Sequence, residues 1–287
     1  MLNERVAEML FKSALVFVCS IFLLCAGASA KDAPPENASV HISRGDTFFA
    51  KSDFEGAIRE YRLAVRLRPN DPQGHFDLGR ALKAHNELDS AIAEYREALR
   101  LRPDLAEAHA NLGTLLAIKG NLDGAVAEYR EAIRLKPDLA RAHADLGTIL
   151  RTKHQLDGSI SELREAVRLD PAQADVHRDL GFALALEKDM DGAIVELREA
   201  VQLDPNLADA HMGLGSALRI KGNLDAAIEE YRKAVSLTPS SAYAHFNLSS
   251  ALFQKGQKEE AEKESATAAR LDPKFQPPAT RAQPEQH

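Results

Sequence analysis

The sequence predicts an all-α fold, an array of seven helix-turn-helix repeats. Three observations carry this expectation. Prolines recur at Pro69, Pro103, Pro137, Pro171, Pro205, Pro239 and Pro273, always 34 residues apart, and a fixed period of this kind marks a helical repeat array. The 287-residue chain has no Trp and only 6% aromatics. Its core must therefore come from Leu, Ile, Val and Ala, which suits helices better than sheets. Small residues also return at fixed places: glycine at Gly45, Gly79, Gly113, Gly147, Gly181 and Gly215, with Ser249 in the last repeat.

Residues 1–30 stand apart from the array. Arg5 and Lys12 precede the apolar run Ala14–Ala28, and Ala28-Ser29-Ala30 then leads into the polar stretch KDAPPENAS. A basic start, an apolar stretch and an A-x-A site read as a secretory signal peptide. The run is about 15 residues, short of the roughly 20 that span a bilayer; an uncleaved membrane anchor is the alternative. Glu4 and Glu8 lengthen the region before the run, so a start at Met9 would give a more ordinary signal. Cys25 raises a lipoprotein reading, but Phe22-Leu23-Leu24 lacks the small residues expected beside a lipidated cysteine. Cys19 and Cys25 are the only cysteines, so the mature chain would hold no disulfide and no cysteine metal site. The expectation is an exported chain, periplasmic or secreted, with residues 31–37 as a leader.

Counting 31 residues back from each proline gives repeats at 38–71, 72–105, 106–139, 140–173, 174–207, 208–241 and 242–275. Helix A is expected over repeat positions 2–14, with an apolar stripe at positions 4, 7, 8 and 11, as in His109, Leu112, Gly113 and Leu116. A turn such as Lys119-Gly120-Asn121 follows. Position 18 is always acidic, from Glu55 to Glu259, and is expected to cap helix B and complement its dipole. Helix B then buries Ile92, Tyr95, Leu99 and their equivalents. Position 20 is alanine except for Ser159, and position 27 is alanine throughout; residues this small let two helices approach closely. Leucine at position 30 precedes the proline that stops the helix.

Leu-Gly at positions 7–8, alanine at 20, tyrosine at 24, alanine at 27 and proline at 32 resemble the tetratricopeptide repeat (TPR). The resemblance covers residues 38–275 and implies a TPR superhelix, an α-solenoid of seven helix-turn-helix repeats whose A helices line a concave groove. The end repeats depart from the middle ones. Arg44 stands where other repeats have leucine, and Lys258, Glu262 and Ser265 replace Leu224, Ile228 and Tyr231, so that last helix face should meet water. Residues 276–287 read as a disordered tail.

Position 4 is histidine in every repeat: His41, His75, His109, His143, His177, His211 and His245. A metal ladder is disfavoured. Neighbouring helices sit about 8–10 Å apart, whereas two histidines on one zinc need their nitrogens within roughly 3–4 Å. A pH sensor that loosens in acid is a second reading, since burial resists protonation. The third is a flat ring that packs the hairpin and donates one hydrogen bond across its seam. Glutamate at position 23 and arginine at position 25 read as solvated or paired surface charges.

The groove should be lined by positions 2, 5, 6, 9, 12 and 13. Its candidate partner-binding residues are Asp77, Glu107, Asn111, Asp145, Asp175, Asp179 and Asn247 along an acidic and amide edge. Arg80, Lys83, Arg151 and Arg219 form a basic edge. The A-H-x-N-L-G form is similar to repeats of O-GlcNAc transferases, which implies asparagines that hold an extended polypeptide; Asn111 and Asn247 match, while three equivalents are Asp, which accepts but cannot donate. The Lys and Asn set of chaperone-tail clamps does not occur. A net charge of −7 argues against nucleic acid. With no catalytic constellation, cofactor motif or metal set, the chain reads as a protein-binding scaffold or adaptor rather than an enzyme. The alternatives are an accessory of a glycosyltransferase system and a self-assembling scaffold; the membrane enters only if the N-terminal segment is uncleaved.

Overall fold

A computed structural model describes residues 37–275. The signal-like segment, nearly all of the leader and residues 276–287 lie outside the described residues. Fourteen α-helices and no strand occur among them. Helices α1 (Ala38–Ala50), α2 (Phe54–Leu67), α3 (Pro72–Ala84) and α4 (Leu88–Leu101) form repeats 1 and 2. Repeats 3–5 hold α5 (Ala106–Ile118), α6 (Leu122–Leu135), α7 (Ala140–Thr152), α8 (Leu156–Leu169), α9 (Ala174–Leu186) and α10 (Met190–Leu203). Repeats 6 and 7 hold α11 (Ala208–Ile220), α12 (Leu224–Leu237), α13 (Ala242–Gln254) and α14 (Lys258–Leu271). Odd-numbered helices are A helices at positions 1–13, a residue earlier than expected; even-numbered ones are B helices.

The chain divides into two compact units, one ending at Ala91 and one beginning at Ile92. In the first, the hairpin α1–α2 closes where Gly45 faces the Tyr61 ring; a methyl group on that glycine would overlap the ring. In the second, α5–α6, α7–α8, α9–α10, α11–α12 and α13–α14 are hairpins of the same design. Gly147 and Gly181 admit Leu163 and Leu197 in the same way. The alanines at positions 20 and 27 are fully buried, and Ser159 at position 20 is kept there by donating its hydroxyl to the Gly147 carbonyl at 2.7 Å. Its core runs continuously from Ala144 through Leu163, Leu180, Leu197, Leu214 and Tyr231 to Ala261. Within this unit, consecutive A helices come closer to one another than consecutive B helices do. The A-helix side is therefore the inner side of this stack.

One expectation is corrected at the hairpin ends. Helix B is capped from position 16, two residues before the acidic position. Asp53, Asn121 and Asp189 there accept from the backbone N–H of Gly56, Gly124 and Gly192. The position-18 acids sit in the first turn and receive a lysine from the next repeat instead: Lys153 on Asp123, Lys221 on Asp191 and Lys255 on Asp225. At the start of the array Asn37, read as leader, caps α1 by accepting from the Val40 N–H. At its end Pro273–Phe275 form a 3₁₀ turn that brings the Phe275 ring 5.1 Å from that of Phe246.

The position-4 histidines join both helices of their own repeat to the repeat before it. In repeats 3–7, Nδ1 of His109, His143, His177, His211 and His245 meets the carboxylate of Glu128, Glu162, Glu196, Glu230 and Glu264 at 2.5–2.7 Å. Their Nε2 atoms meet the carbonyls of Pro103, Pro137, Pro171, Pro205 and Pro239 at 3.0–3.1 Å. The position-23 glutamates are thus half-buried ring partners and not surface charges, and each ring makes two bonds where one was expected. A carbonyl can only accept, so Nε2 carries a hydrogen; the second bond then needs a proton shared between Nδ1 and the carboxylate. At His109 burial pulls the pKa down, but the bonds to Glu128 and to the Pro103 carbonyl and the charges of Glu128 and Glu131 outweigh it. The net direction is upward, opposite to the resistance expected from burial alone.

Candidate binding face

Positions 2, 5, 6, 9, 12 and 13 of the A helices interleave the buried stripe, and position 9 also meets the B partner: the Tyr61, Tyr129 and Tyr231 hydroxyls donate to Asp46, Thr114 and Ser216 at 2.7–3.0 Å. In the first compact unit, Asp77 is buried, accepting from Gln73 Nε2 at 3.1 Å and from Arg80 at 3.4 Å. Burial pushes its carboxyl pKa up, against the lowering pull of Gln73 and Arg80. The Arg80 guanidinium lies 4.8 Å over the Phe49 ring and 5.9 Å from that of Phe76. Lys83 is half-buried on the same helix.

In the second unit most of the expected acidic edge is occupied by internal bonds. Glu107 accepts from Lys136 at 3.0 Å, which lowers its pKa. Asn111 donates to the Glu107 carbonyl at 2.9 Å. Asp145 binds Arg141 at 2.9 Å and accepts from the Tyr129 hydroxyl at 3.4 Å; burial raises its pKa, with Arg141 opposing. Arg141 also reaches Asp175 at 3.2 Å. Asp179 accepts from Thr148 Oγ1 at 2.8 Å and from both Nε and Nη2 of Arg178. Tyr129–Asp145 and Thr148–Asp179 each link one repeat to the next, so these acids work as struts along the stack.

The basic edge is different. Arg151 reaches Asp179 only at 4.0 Å, and its Nε is buried without an acceptor. Arg219 makes no hydrogen bond or ion pair among the described residues, and its Nε is likewise buried. Asn247 is only 8% exposed, and its Nδ2 has no partner.

The sequence reading missed an apolar depression of about 600 Å³ on this face. Phe182, Leu186, Met212, Ile220 and Tyr243 line it, together with Arg151 and Asp209. Gly213 makes it possible: every other repeat carries a polar side chain at position 6, whereas here a Cβ would overlap the Phe182 ring. The signal was a glycine at position 6 followed by apolar residues at neighbouring lining positions. Leu186, Ile220 and Tyr243 in its lining are exposed, and so are Phe246 and Phe253 on α13. Among the described residues, no group of three or more His, Cys, Asp or Glu side chains is placed to hold a metal ion, and no helix is long and apolar enough to cross a membrane.

Models of the tetratricopeptide repeat match residues 76–140, 144–208 and 242–275, and a TPR repeat model matches 45–86 and 215–256. No curated protein sequence matches. Among solved structures, MamA is 29% identical with a TM-score of 0.54, covering 57% of this chain and 95% of its own. YrrB, described as a TPR protein with an unusual peptide-binding site, is 26% identical with a TM-score of 0.58, covering 64% of this chain and 95% of its own. PilF of Pseudomonas aeruginosa, 20% identical with a TM-score of 0.62 over 70% of this chain and 92% of its own, shares the fold.

Proposed function

Because the chain belongs to the tetratricopeptide repeat family, we propose that it is a binding scaffold holding a segment of another polypeptide on the A-helix face of its second compact unit. The observation that carries this reading is the exposed apolar lining of the depression on that face: Leu186 is 54% exposed and Ile220 59%. Contiguous apolar surface of this kind on a folded chain marks an interaction site. YrrB, with its peptide-binding site, supports the reading. The mechanism is docking to a preformed surface, which keeps the ordering cost of association low. Asn111, Arg151, Arg219 and Asn247 are the polar contacts of this proposal. Export, to a periplasm or out of the cell, rests on the signal-like residues 1–30.

Site-specific photo-crosslinking tests this. A photoreactive phenylalanine analogue at Ile220 should yield polypeptide adducts from host extract. The same probe at Val195, exposed on the B-helix side of α10, should yield few. Equal labelling from both positions, or none from Ile220, would overturn the reading.

A further inference from the structure

The inner face of repeats 4–7 carries an imbalance that defines what it can hold. Three buried donors lack an acceptor there: Arg151 Nε, Arg219 Nε and Asn247 Nδ2. Among the described residues of these four repeats, no buried side-chain oxygen is in the same position. Buried polar atoms are normally satisfied, and each orphan costs about 1–3 kcal/mol. Arg151 borders the apolar depression directly. Arg219 precedes Ile220 on α11, and Asn247 lies one helical turn beyond Tyr243 on α13; Ile220 and Tyr243 both line the depression. Oxygen acceptors would therefore be met beside the depression and apolar groups inside it.

We propose that this face selects polypeptide segments with a bulky apolar residue, seated between Phe182, Met212 and Ile220, and flanked by Asp or Glu that reaches Arg151 and Arg219. The inference rests on the scaffold reading and deepens it. Charge complementarity fixes the sign. Asp179, the one carboxylate within 4.0 Å of Arg151 among the described residues, already binds Arg178 twice and Thr148, and Arg219 has no ion pair among the described residues. A net-negative chain repels acidic ligands at long range, but screening within about 8 Å at physiological salt leaves the local guanidinium groups in control. A polypeptide fits better than a small apolar acid, because exposed Phe246, on the same helix as Tyr243, adds apolar surface outside the depression.

The test is selection of a random displayed peptide library on the immobilised full chain. The expected result is enrichment of Phe, Leu, Ile or Met at one position, with Asp or Glu beside it favoured over Lys or Arg by about tenfold, equivalent to about 1.4 kcal/mol. Arg151→Gln with Arg219→Gln should abolish the acidic preference and leave the apolar one. Ile220→Asp, at an exposed position, should abolish the apolar preference, with far-ultraviolet circular dichroism showing each variant folded. Basic or neutral flanks, or an acidic preference that survives the arginine substitutions, would overturn the inference. So would decanoate displacing the selected peptides as effectively as a peptide does. If the photo-crosslinks at Ile220 persist while any of these results is obtained, the scaffold reading stands and only the ligand chemistry fails.

Discussion

The Glu128 carboxylate and the Pro103 carbonyl face the two nitrogens of His109 from either side, and the ring answers both by holding a proton more firmly when folded. A folded pKa above the unfolded one gives stability that is complete below the unfolded value, about 6.5, and is lost as pH rises through the folded value. His109→Gln should therefore cost about 1–2 kcal/mol at about pH 5.5 and much less at about pH 9. Urea unfolding of both proteins at the two values checks this; a cost that grows with pH would contradict it. The histidine period was legible in the sequence and its partner was not. His109 and Glu128 are 19 residues apart on different helices, and only the crossing of the hairpin joins them. The clue was available all the same, since glutamate returns in every repeat at one fixed distance from histidine.

Between its two helices each hairpin turns through position 15 in a left-handed backbone conformation. Glycine supplies it at Gly120, Gly222 and Gly256, but Ser52, Asn86, His154 and Lys188 adopt it with φ of 57° to 70°. A side chain there crowds the following carbonyl by roughly 1–2 kcal/mol, which glycine avoids. Lys188→Gly should stabilise the protein by about 0.5–1 kcal/mol, the larger gain being reduced by the added freedom of the unfolded chain. An unchanged or lowered urea midpoint would refute it. Helix lengths and order were legible because proline, Leu-Gly and the alanines repeat without slippage. The cap was misplaced because an acid in the first turn and a true cap share a composition, and only the Gly192 N–H pointing at Asp189 tells them apart.

At the scale of the whole molecule, the array ends on a polar helix face where the other repeats meet a neighbour. Lys258 and Glu262 are exposed and Ser265 half-buried, where the preceding repeat buries Ile228 and Tyr231. Lys258→Leu, Glu262→Ile and Ser265→Tyr together should produce more concentration-dependent association in light scattering than the unsubstituted chain shows; a variant that associates no more than that chain would argue against a capping role. The binding face was half legible at this scale. The positions that line it followed from helical spacing, but which of their charges are free did not. Asp145 and Asp179 are consumed by Tyr129 and Thr148 of the preceding repeats, whereas Arg219 has no ion pair among the described residues. The histidine bridge has a consequence for how such a chain can change length. Each bridge takes its ring and carboxylate from one repeat and its carbonyl from the repeat before. Duplicating or deleting a whole period lets every ring find an equivalent carbonyl in its new neighbour. An insertion of any other length inside a repeat strands a ring without one, so recombination between copies of the coding segment is tolerated only in phase.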